Sequence, residues 1–443
     1  MNRRTYLKAT TALGLSTSLA GCGMSMGGGT GSVPASGNNS SSTNSSQIGV
    51  GSALDPSQYS GQFNRVVNMV EDAGADPTGE EDVSPLIQRE LRDETLLFFP
   101  QGTYKMNSQI RRAGNKDMGI IGNNAVMKHG TVEAIDGFDV TKGEFHGPAQ
   151  HFKIGVPDNP HRGKFVFGGF VFDWRGKNEG IQILNHHTAG SSIVQNVRQR
   201  GMHSLGCQGA FRLDPVTEEA AILGRRLDIR FGGKTYQKTI NTRDTYDGGP
   251  YAGRSWATSG ITMHPRTQGT LRLEEIMCGG WPDNGIYVIG GHPDKGDGTV
   301  EVINCIAANS QASNIRIGGE NSKIIGCKVI IDQAFGEEFY HEQRPIRIDD
   351  GTCTVKNTRI IQRQPTGWSL TVLHGVQNAT IQNVSVEIFN QPQLALVVSD
   401  GAGKCTVDGF SVQTKGWHGT RASVFRGWPD VAKNISVNGR SVA

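Results

Sequence analysis

Several features that would point to a familiar functional class are scarce in this sequence. Its net charge is only +3, from 44 basic and 41 acidic residues, so it lacks the positive excess that nucleic-acid binding requires. No two cysteines stand in a C-x-x-C spacing, which argues against a zinc site. The one apolar run near the N-terminus is too short to span a membrane. Helix-length apolar patterns are also missing between the short strand-like segments, so a helical bundle is not predicted.

Glycine, by contrast, is abundant, with 60 residues, and it accompanies a repeated strand pattern. Residues 314–319 read NIRIGG and residues 345–351 read PIRIDDG, each with an arginine between two isoleucines. Such alternation predicts a half-buried strand with isoleucine on one face and arginine on the other. Similar strands recur along the chain, and their first apolar residues are Ile181, Phe211, Ile261, Ile286, Ile315, Ile346, Leu370 and Leu396.

A second series of strands accompanies the first and bends at residues that tolerate a positive φ angle. The predicted corner residues are Asn196, Asn304, Gly326, Asn357, Asn383 and Gly409. Each repeat of about 22 to 31 residues is too small to bury its own apolar face, whereas stacked repeats can. The pattern therefore predicts an all-β fold, a parallel β-helix of about ten coils.

The N-terminus predicts export and lipidation. Within residues 1–22, Arg3 and Arg4 precede a short apolar run that ends in Leu-Ala-Gly-Cys22. This resembles a twin-arginine export signal that ends in a lipobox. Cleavage before Cys22 and lipidation of its thiol would anchor the protein to the outer face of the cell membrane. The predicted location is therefore extracytoplasmic, either lipid-anchored or extracellular.

The remainder divides into a tether and one domain. Residues 23–60 are mostly Gly, Ser, Asn and Thr and predict a flexible tether. Residues 61–443 predict the β-helix domain, with an N-terminal cap at 61–110 that contains a short helix near 83–92.

Six cysteines fall in the predicted domain, and four of them align between coils. Cys305 and Cys327 occupy equivalent positions in adjacent coils, and Cys353 and Cys405 do so two coils apart, with Ala379 between them. They are interpreted as small apolar residues stacked in the core, and a disulfide between neighbouring coils is the alternative.

The cap carries a specific resemblance. GADPTG at 74–79, Ile87-Gln88, and FPQGTY at 99–104 follow one another in the order found in the cap of pectin-lyase-like right-handed parallel β-helix proteins, which this region resembles. Coil segments such as PDNGIYVIGG and RPIRIDDG are similar to secreted β-helix proteins of halophilic archaea, over roughly residues 65–415. The resemblance implies a right-handed solenoid and an extracytoplasmic location. It also implies relatives that act on uronic-acid polysaccharides, but no particular reaction for this chain.

Equivalent side chains of stacked coils form columns spaced about 4.8 Å apart. The outward residues between the two inward ones are Gln182, Arg212, Thr262, Tyr287, Arg316, Arg347, Thr371 and Val397. The next outward residues are Leu184, Asp214, His264, Ile289, Gly318 and Asp349, with Asp350 one step beyond. Arg316 and Arg347 are thus predicted to lie side by side.

Two adjacent guanidiniums predict an anionic ligand, because arginine binds carboxylates with two hydrogen bonds. In a lyase, one arginine would neutralise the uronate and a base would take the C5 proton. The candidate catalytic residues are Arg316, Arg347, Tyr287, His264, Asp283 and Asp349. The alternative is an exposed ladder of ion pairs in which Asp283, Asp349 and Asp350 neutralise the arginines.

An insertion at 231–258 is the second candidate region. Long loops rich in aromatic and charged residues often form binding walls on a rigid scaffold, although this one could also merely cover the solenoid. The candidate substrate-binding residues are Arg212, Asp214, Asp350, Tyr251, Arg254 and Trp256.

A hydrolase would need two or three carboxylates around one bond, which Asp214, Asp283, Asp349 and Asp350 could supply. The motifs of polygalacturonases are nevertheless absent. No cofactor is predicted, since the spacing of these aspartates does not support a calcium site.

These patterns together predict an exported, lipid-anchored β-helix that binds an anionic polysaccharide or a glycoprotein glycan, and that could cleave it as a lyase or glycoside hydrolase. The alternative is a non-catalytic surface adhesin or structural glycan-binding protein. Neither a nucleic-acid partner nor an oligomeric state is predicted.

Overall fold

The computed structural model describes residues 53–234, 239–242, 258–263, 267–289, 298–334, 343–364 and 367–443. The chain forms a right-handed parallel β-helix of about 12 turns, two more than the repeat pattern predicts. Nearly all strand pairs are parallel, and each strand pairs with the equivalent strand of the next coil.

One face of the solenoid, here called the front sheet, contains the isoleucine strands. Its strands span Ile110–Arg112, Gln150–Ile154, Gln182–Thr188, Phe211–Pro215, Ile261–Thr262, Asn284–Ile289, Ser313–Gly318, the beginnings of Arg344–Lys356 and Leu370–Phe389, and Leu396–Val398 and Phe425–Arg426. The remaining parallel strands span Arg65–Asn68, Thr78–Asp82, Thr95–Phe99, Thr103–Met106, Lys116–His129, Arg162–Asp173, Ser191–Arg200, Ala221–Ile229, Thr270–Glu274, Met277–Gly279, Thr299–Ile303, Ile306–Ala308, Ser322–Ile325, Lys328–Ile331, Arg359–Gln362, Lys404–Lys415 and Val431–Val437.

The core forms a continuous column, as the repeats predict. Ile286, Ile315 and Ile346 pair in register and are fully buried. Burial of one such side chain contributes about 1.5–3 kcal/mol, so the stack stabilises every coil against its neighbours. The predicted corner residues Asn196, Asn304, Gly326, Asn357, Asn383 and Gly409 all have positive φ angles, which confirms their role in turning the chain.

The alignment of the first predicted coil is wrong by three residues. Leu184, not Ile181, pairs with Phe211 in the core, so Asn185 rather than Gln182 lies beside Arg212. Ile181 instead belongs to a smaller apolar cluster with Phe145. Ile181 and Leu184 each begin a stretch that could face the core, and only the pairing with the next coil shows that Leu184 does so.

The N-terminal end is covered by the predicted cap. Its α-helix, Ser84–Glu90, starts with Pro85 in its first turn and buries Ile87, which fits the expected helix near 83–92. Ordered structure begins before residue 61, because a 3-10 helix at Pro56–Tyr59 places the Tyr59 hydroxyl 2.7 Å from Gln195 Nε2. At the other end lies a four-residue helix, Arg421–Val424, and Arg440–Ser441 pairs antiparallel with Val431–Val437.

All six cysteines of the described domain are buried and free. Ile306 pairs with Lys328, which sets Cys305 beside Cys327, and Ala379 pairs with both Cys353 and Cys405. The interpretation as stacked core residues is therefore confirmed, and the disulfide alternative is wrong for these residues.

A small antiparallel sheet that the repeats do not predict projects from one corner. Its strands are Val132–Asp136, Asp139–Gly143 and Gly147–Pro148. Asn241, in the described part of the 231–258 insertion, binds its turn through Gly137. None of the helices in the described ranges has the length and apolarity needed to cross a bilayer.

Candidate functional site

A continuous column of outward-facing side chains runs along the front sheet. The register of the strands places eleven residues in this front column: Arg111, Lys153, Asn185, Arg212, Thr262, Tyr287, Arg316, Arg347, Thr371, Val397 and Arg426. At about 4.8 Å for each of the ten steps, the column is roughly 48 Å long. Six of its members are basic and none is acidic, so the column itself is positive, with Asp214 and Asp349 beside it on the same face.

The basic residues of the column differ in how they are neutralised. Within the described part of the chain, no carboxylate pairs with Arg111, Lys153 or Arg426, and the Arg426 guanidinium instead lies 5.1 Å from the Trp368 ring. Burial and the positive charges of Arg111 and Arg212 lower the pKa of Lys153. The positive potential at the N-terminal end of the column is therefore only partly compensated.

At the centre of the column, one aspartate serves two arginines; Arg316, Arg347 and Asp349 are here called the Asp349 cluster. Asp349 accepts hydrogen bonds from Arg316 Nη2 at 2.6 Å and from Arg347 Nε at 2.7 Å. Burial alone would raise the pKa of Asp349, but the two guanidiniums outweigh it and hold the pKa below its usual range. The arginines thus lie side by side and are partnered, as the ion-pair alternative predicts. With one carboxylate for two guanidiniums, the cluster keeps a net positive charge.

Tyr287 and Asp283 lie beside this cluster. The Arg316 guanidinium stacks 4.5 Å from the centre of the Tyr287 ring, a cation–π contact that supports the orientation of both side chains. Asp283 accepts a 2.8 Å hydrogen bond from the Ser259 hydroxyl and forms no ion pair with either arginine. Burial raises the pKa of Asp283. Asp283 therefore interacts with the two arginines through its charge but without a direct ion pair.

A second aspartate of the front face is built in the same way; His187, Arg212 and Asp214 are here called the Asp214 cluster. Arg212 Nε donates to Asp214 Oδ2 at 2.8 Å, and His187 Nδ1 lies 3.0 Å from the same oxygen. Asp214 is fully buried, which alone would raise its pKa, but the neighbouring His187 ring and the charge of the Arg212 guanidinium lower it. The aspartate therefore stays ionised.

Sequence reasoning missed His187 because of the three-residue error in the first coil. The correct register places it in the outward position that had been assigned to Leu184, next to Asp214. The signal was present in the segment LNHHT at 184–188, where Leu184 and His186 face the core and Asn185 and His187 point to the front face, although both are nearly fully buried.

Other predicted site residues lie elsewhere. Asp350 sits at the turn after the front strand, where its Oδ1 accepts from Gly319 N at 3.1 Å. Outside the described residues are Cys22, Tyr251, Arg254, Trp256 and His264. Among the residues that the structure describes, no three potential metal ligands cluster closely enough to hold an ion.

Comparisons with known proteins bear on the fold. No family model matches the sequence, and no curated protein matches it. Among solved structures, the ORF18 protein of Geobacillus virus E2 has a TM-score of 0.51 at 12% identity, over 79% of this chain and 61% of that protein. This chain thus spans less than two thirds of the viral protein. Identity at this level indicates a shared fold and nothing further.

Two other solved structures have lower scores. The Streptococcus pneumoniae surface protein and adhesin PfbA has a TM-score of 0.48 at 12% identity, over 84% of this chain and 99% of the adhesin. The DFA-IIIase of Arthrobacter chlorophenolicus A6 has a TM-score of 0.48 at 12% identity, over 85% of this chain and 92% of the enzyme. The relation to archaeal secreted proteins stays a prediction.

Proposed function

We propose that the protein is exported, anchored through Cys22, and binds an anionic polysaccharide along the front column. The observation that carries the proposal is the column itself, with six basic residues and no acidic one in eleven consecutive coil positions. A linear polyanion suits such a column, because successive carboxylates meet successive cations at a regular spacing.

The partnered arginines fit a binding role. In the Asp349 cluster, Asp349 fixes both guanidiniums in place, so little side-chain entropy is lost when a ligand carboxylate approaches. Arg316 and Arg347 keep 17% and 20% of their side chains exposed, which leaves an edge of each for a ligand. A non-catalytic adhesin would use the same features, so both candidate functions include binding of the polysaccharide.

Retention on an anionic polysaccharide gel, such as immobilised polygalacturonate, tests the proposal. The best variants are Arg111→Gln and Arg426→Gln, because neither residue has a carboxylate partner that its removal would strand. Each lost contact of about 1.4 kcal/mol weakens binding tenfold, so we expect a roughly hundredfold loss in the double variant. Arg316→Ala with Arg347→Ala should also weaken retention.

Arg440→Gln is the matched control, since it removes the same charge from an exposed site off the column. If the control loses as much retention as Arg111→Gln or Arg426→Gln alone, binding is a general charge effect and the column is not the site. For the anchor, Cys22→Ser should release the protein from the membrane fraction, and a variant that stays there would contradict lipidation.

A further inference from the structure

Glu179 and His129 form a contact whose geometry requires a proton between them. Glu179 Oε2 lies 3.1 Å from His129 Nε2. The other ring nitrogen, Nδ1, lies 2.8 Å from the Gly130 carbonyl oxygen and must donate to it, because a carbonyl oxygen only accepts. Nε2 in turn accepts a hydrogen bond from the Gly180 amide at 3.1 Å, so it carries a lone pair and no hydrogen. An ionised Glu179 would therefore place one acceptor against another.

The proton of this contact belongs to Glu179. On His129 it would create an imidazolium, and the ring is almost fully buried, which lowers the pKa of His129 to about 4. On Glu179 it gives a neutral carboxylic acid whose O–H can donate to Nε2. Burial, together with the negative charge of Asp173, raises the pKa of Glu179 to about 7. Because 23% of its side chain is exposed, Glu179 can exchange this proton with solvent.

The contact joins the small antiparallel sheet to the loop 174–181, which leads into the front sheet. His129 ends the strand that precedes the small sheet, and its ring packs edge-to-face on Phe145 with 6.2 Å between the ring centres. Glu179 lies in the loop just before the front strand Gln182–Thr188. The two side chains thus connect a projecting element to the body of the solenoid.

The neighbouring contacts of the loop are short in range and few of them involve charge. Asn178 Nδ2 donates to the Val132 carbonyl oxygen at 3.4 Å, which is a long hydrogen bond. The Glu179 backbone exchanges two hydrogen bonds with Ser204, whose amide donates to the Glu179 carbonyl oxygen at 2.7 Å. Ile181 then packs in the apolar cluster of the small sheet. The side chain of Glu179 therefore adds a link whose strength depends on its proton.

We propose that Glu179 and His129 form a pH-sensitive latch, which holds the small antiparallel sheet against the loop 174–181 while Glu179 is protonated and releases it when the proton leaves. On release, the O–H proton of Glu179 passes to solvent, and the carboxylate and the Nε2 lone pair repel each other. The ring cannot compensate by moving its own proton to Nε2, because it would then lose its bonds to Gly130 and Gly180. The latch is independent of the polysaccharide binding proposed above.

The charged groups nearest the latch act on Glu179 in opposite directions. The negative charge of Asp173 raises the pKa of Glu179, and the positive charge of Lys128 lowers it. Asp173 is itself bound by Arg175 at 2.6 Å and faces Arg200 at 4.0 Å. On the small sheet, the charged groups are paired at the surface, Glu133 with Lys142 and Glu144 with Lys105.

The other titratable groups packed around the latch are buried and neutral. Burial lowers the pKa of His151 well below its ordinary value and that of His203 to about 4. Burial also raises the pKa of the Cys207 thiol to about 12. These three neighbours therefore stay neutral across the pH range in which Glu179 titrates.

The raised pKa sets the direction of the pH effect. A released Glu179 titrates at about 4.3, so the stability that the latch adds is full below that pH and is lost as the pH rises through about 7. For a carboxyl that titrates at about 7 when closed and about 4.3 when open, the opening equilibrium rises about 30-fold from pH 5.5 to pH 8.5. Most of this rise lies below pH 7, above which the equilibrium levels off.

Hydrogen exchange of the full chain, measured by mass spectrometry at pH 5.5 and 8.5, tests the latch. Protection factors, corrected for the intrinsic exchange rate at each pH, should fall about 30-fold for residues 132–148. The strand Leu370–Phe389, far along the solenoid, is the internal reference and should change by less than about twofold.

Two variants identify the group that titrates. Glu179→Gln supplies a neutral amide that can donate to Nε2 at any pH, so protection of residues 132–148 should agree within about twofold at the two pH values. Glu219→Gln, which removes a carboxylate from an exposed turn, is the matched control and should keep the wild-type fall.

Each outcome decides the proposal. Equal wild-type protection of residues 132–148 at pH 5.5 and 8.5 overturns the latch, and so does a fall that persists in Glu179→Gln. If Glu179→Gln does not fold, as judged by circular dichroism, the wild-type profile decides instead. Protection that falls from pH 5.5 and levels off above about pH 7 supports the latch, and a fall that begins only above pH 7 overturns it.

Discussion

The Asp214 and Asp349 clusters are two versions of one arrangement on the same face. In each, an aspartate binds the arginine two residues before it on its own strand, and it also binds a side chain from the preceding coil. That second side chain is His187 in one cluster and Arg316 in the other. The geometry of stacked coils therefore sets the arrangement, and a single residue type decides whether the aspartate meets one guanidinium and an imidazole or two guanidiniums.

The comparison predicts different costs for loss of the two carboxylates, and this is the largest expected effect. Asp349→Asn leaves two guanidiniums without a counter-charge, and breaking such a buried pair costs about 3–5 kcal/mol of unfolding free energy. Asp214→Asn leaves only one guanidinium, that of Arg212, without its carboxylate partner, so its cost should be smaller. Urea unfolding at neutral pH measures both.

Asp400→Asn, at an exposed turn, is the control and should change the unfolding free energy by less than about 0.5 kcal/mol. Equal costs for Asp214→Asn and Asp349→Asn would mean that the histidine and the second arginine are energetically equivalent, and the distinction between the clusters would fail.

The second effect, of intermediate size, is the loss of folding stability at acid pH. The pKa of Asp214 and that of Asp349 are both lower than normal in the folded protein. A lowered carboxyl pKa adds stability above the unfolded value of about 3.9, and this stability is lost as the pH falls through the folded pKa. The stability difference between wild type and Asp349→Asn should therefore be full at pH 5 and above, and shrink below about pH 4. Urea titrations at a series of pH values check this, and a difference that grows in acid would contradict it.

The smallest effect comes from making one cluster resemble the other. Arg316→His places a histidine opposite Asp349, so its charge should follow pH around the usual histidine pKa of about 6.5. Binding to polygalacturonate at pH 7.5 should weaken by about tenfold, the equivalent of about 1.4 kcal/mol, and recover in part at pH 5.5. The wild-type protein, measured in parallel, should show the smaller change. An equal loss at both pH values would mean that Arg316 contributes shape rather than charge.

Much of the fold could be predicted because one strand pattern repeats. The strict alternation around Arg316 and Arg347 defines the inward and outward faces, and successive repeats then define the neighbours. The corner residues were predictable for the same reason, since few residues tolerate a positive φ angle. The shared cysteine positions followed from the corners.

The remainder depends on contacts that one repeat does not encode. Residues 181–188 alternate in two possible frames, and only pairing with the coil of Phe211 selects the frame that faces His187 outward. The small antiparallel sheet packs on its own cluster around Ile135 and Phe145, so it has no counterpart among the repeats. The repeat pattern does not show whether Asp349 binds one arginine or both, because this depends on the positions of the side chains.

The buried thiols can serve as probes of how the solenoid unfolds. They are distributed along the solenoid, from Cys207 beside the small antiparallel sheet to Cys405 in the core column, and burial raises the pKa of each of these two to about 12. In the closed coil such a thiol scarcely reacts with an alkylating reagent, because the thiolate is the reactive form. The order in which the six cysteines become labelled under mild denaturant would therefore show whether the coils unfold one after another from one end or all at once.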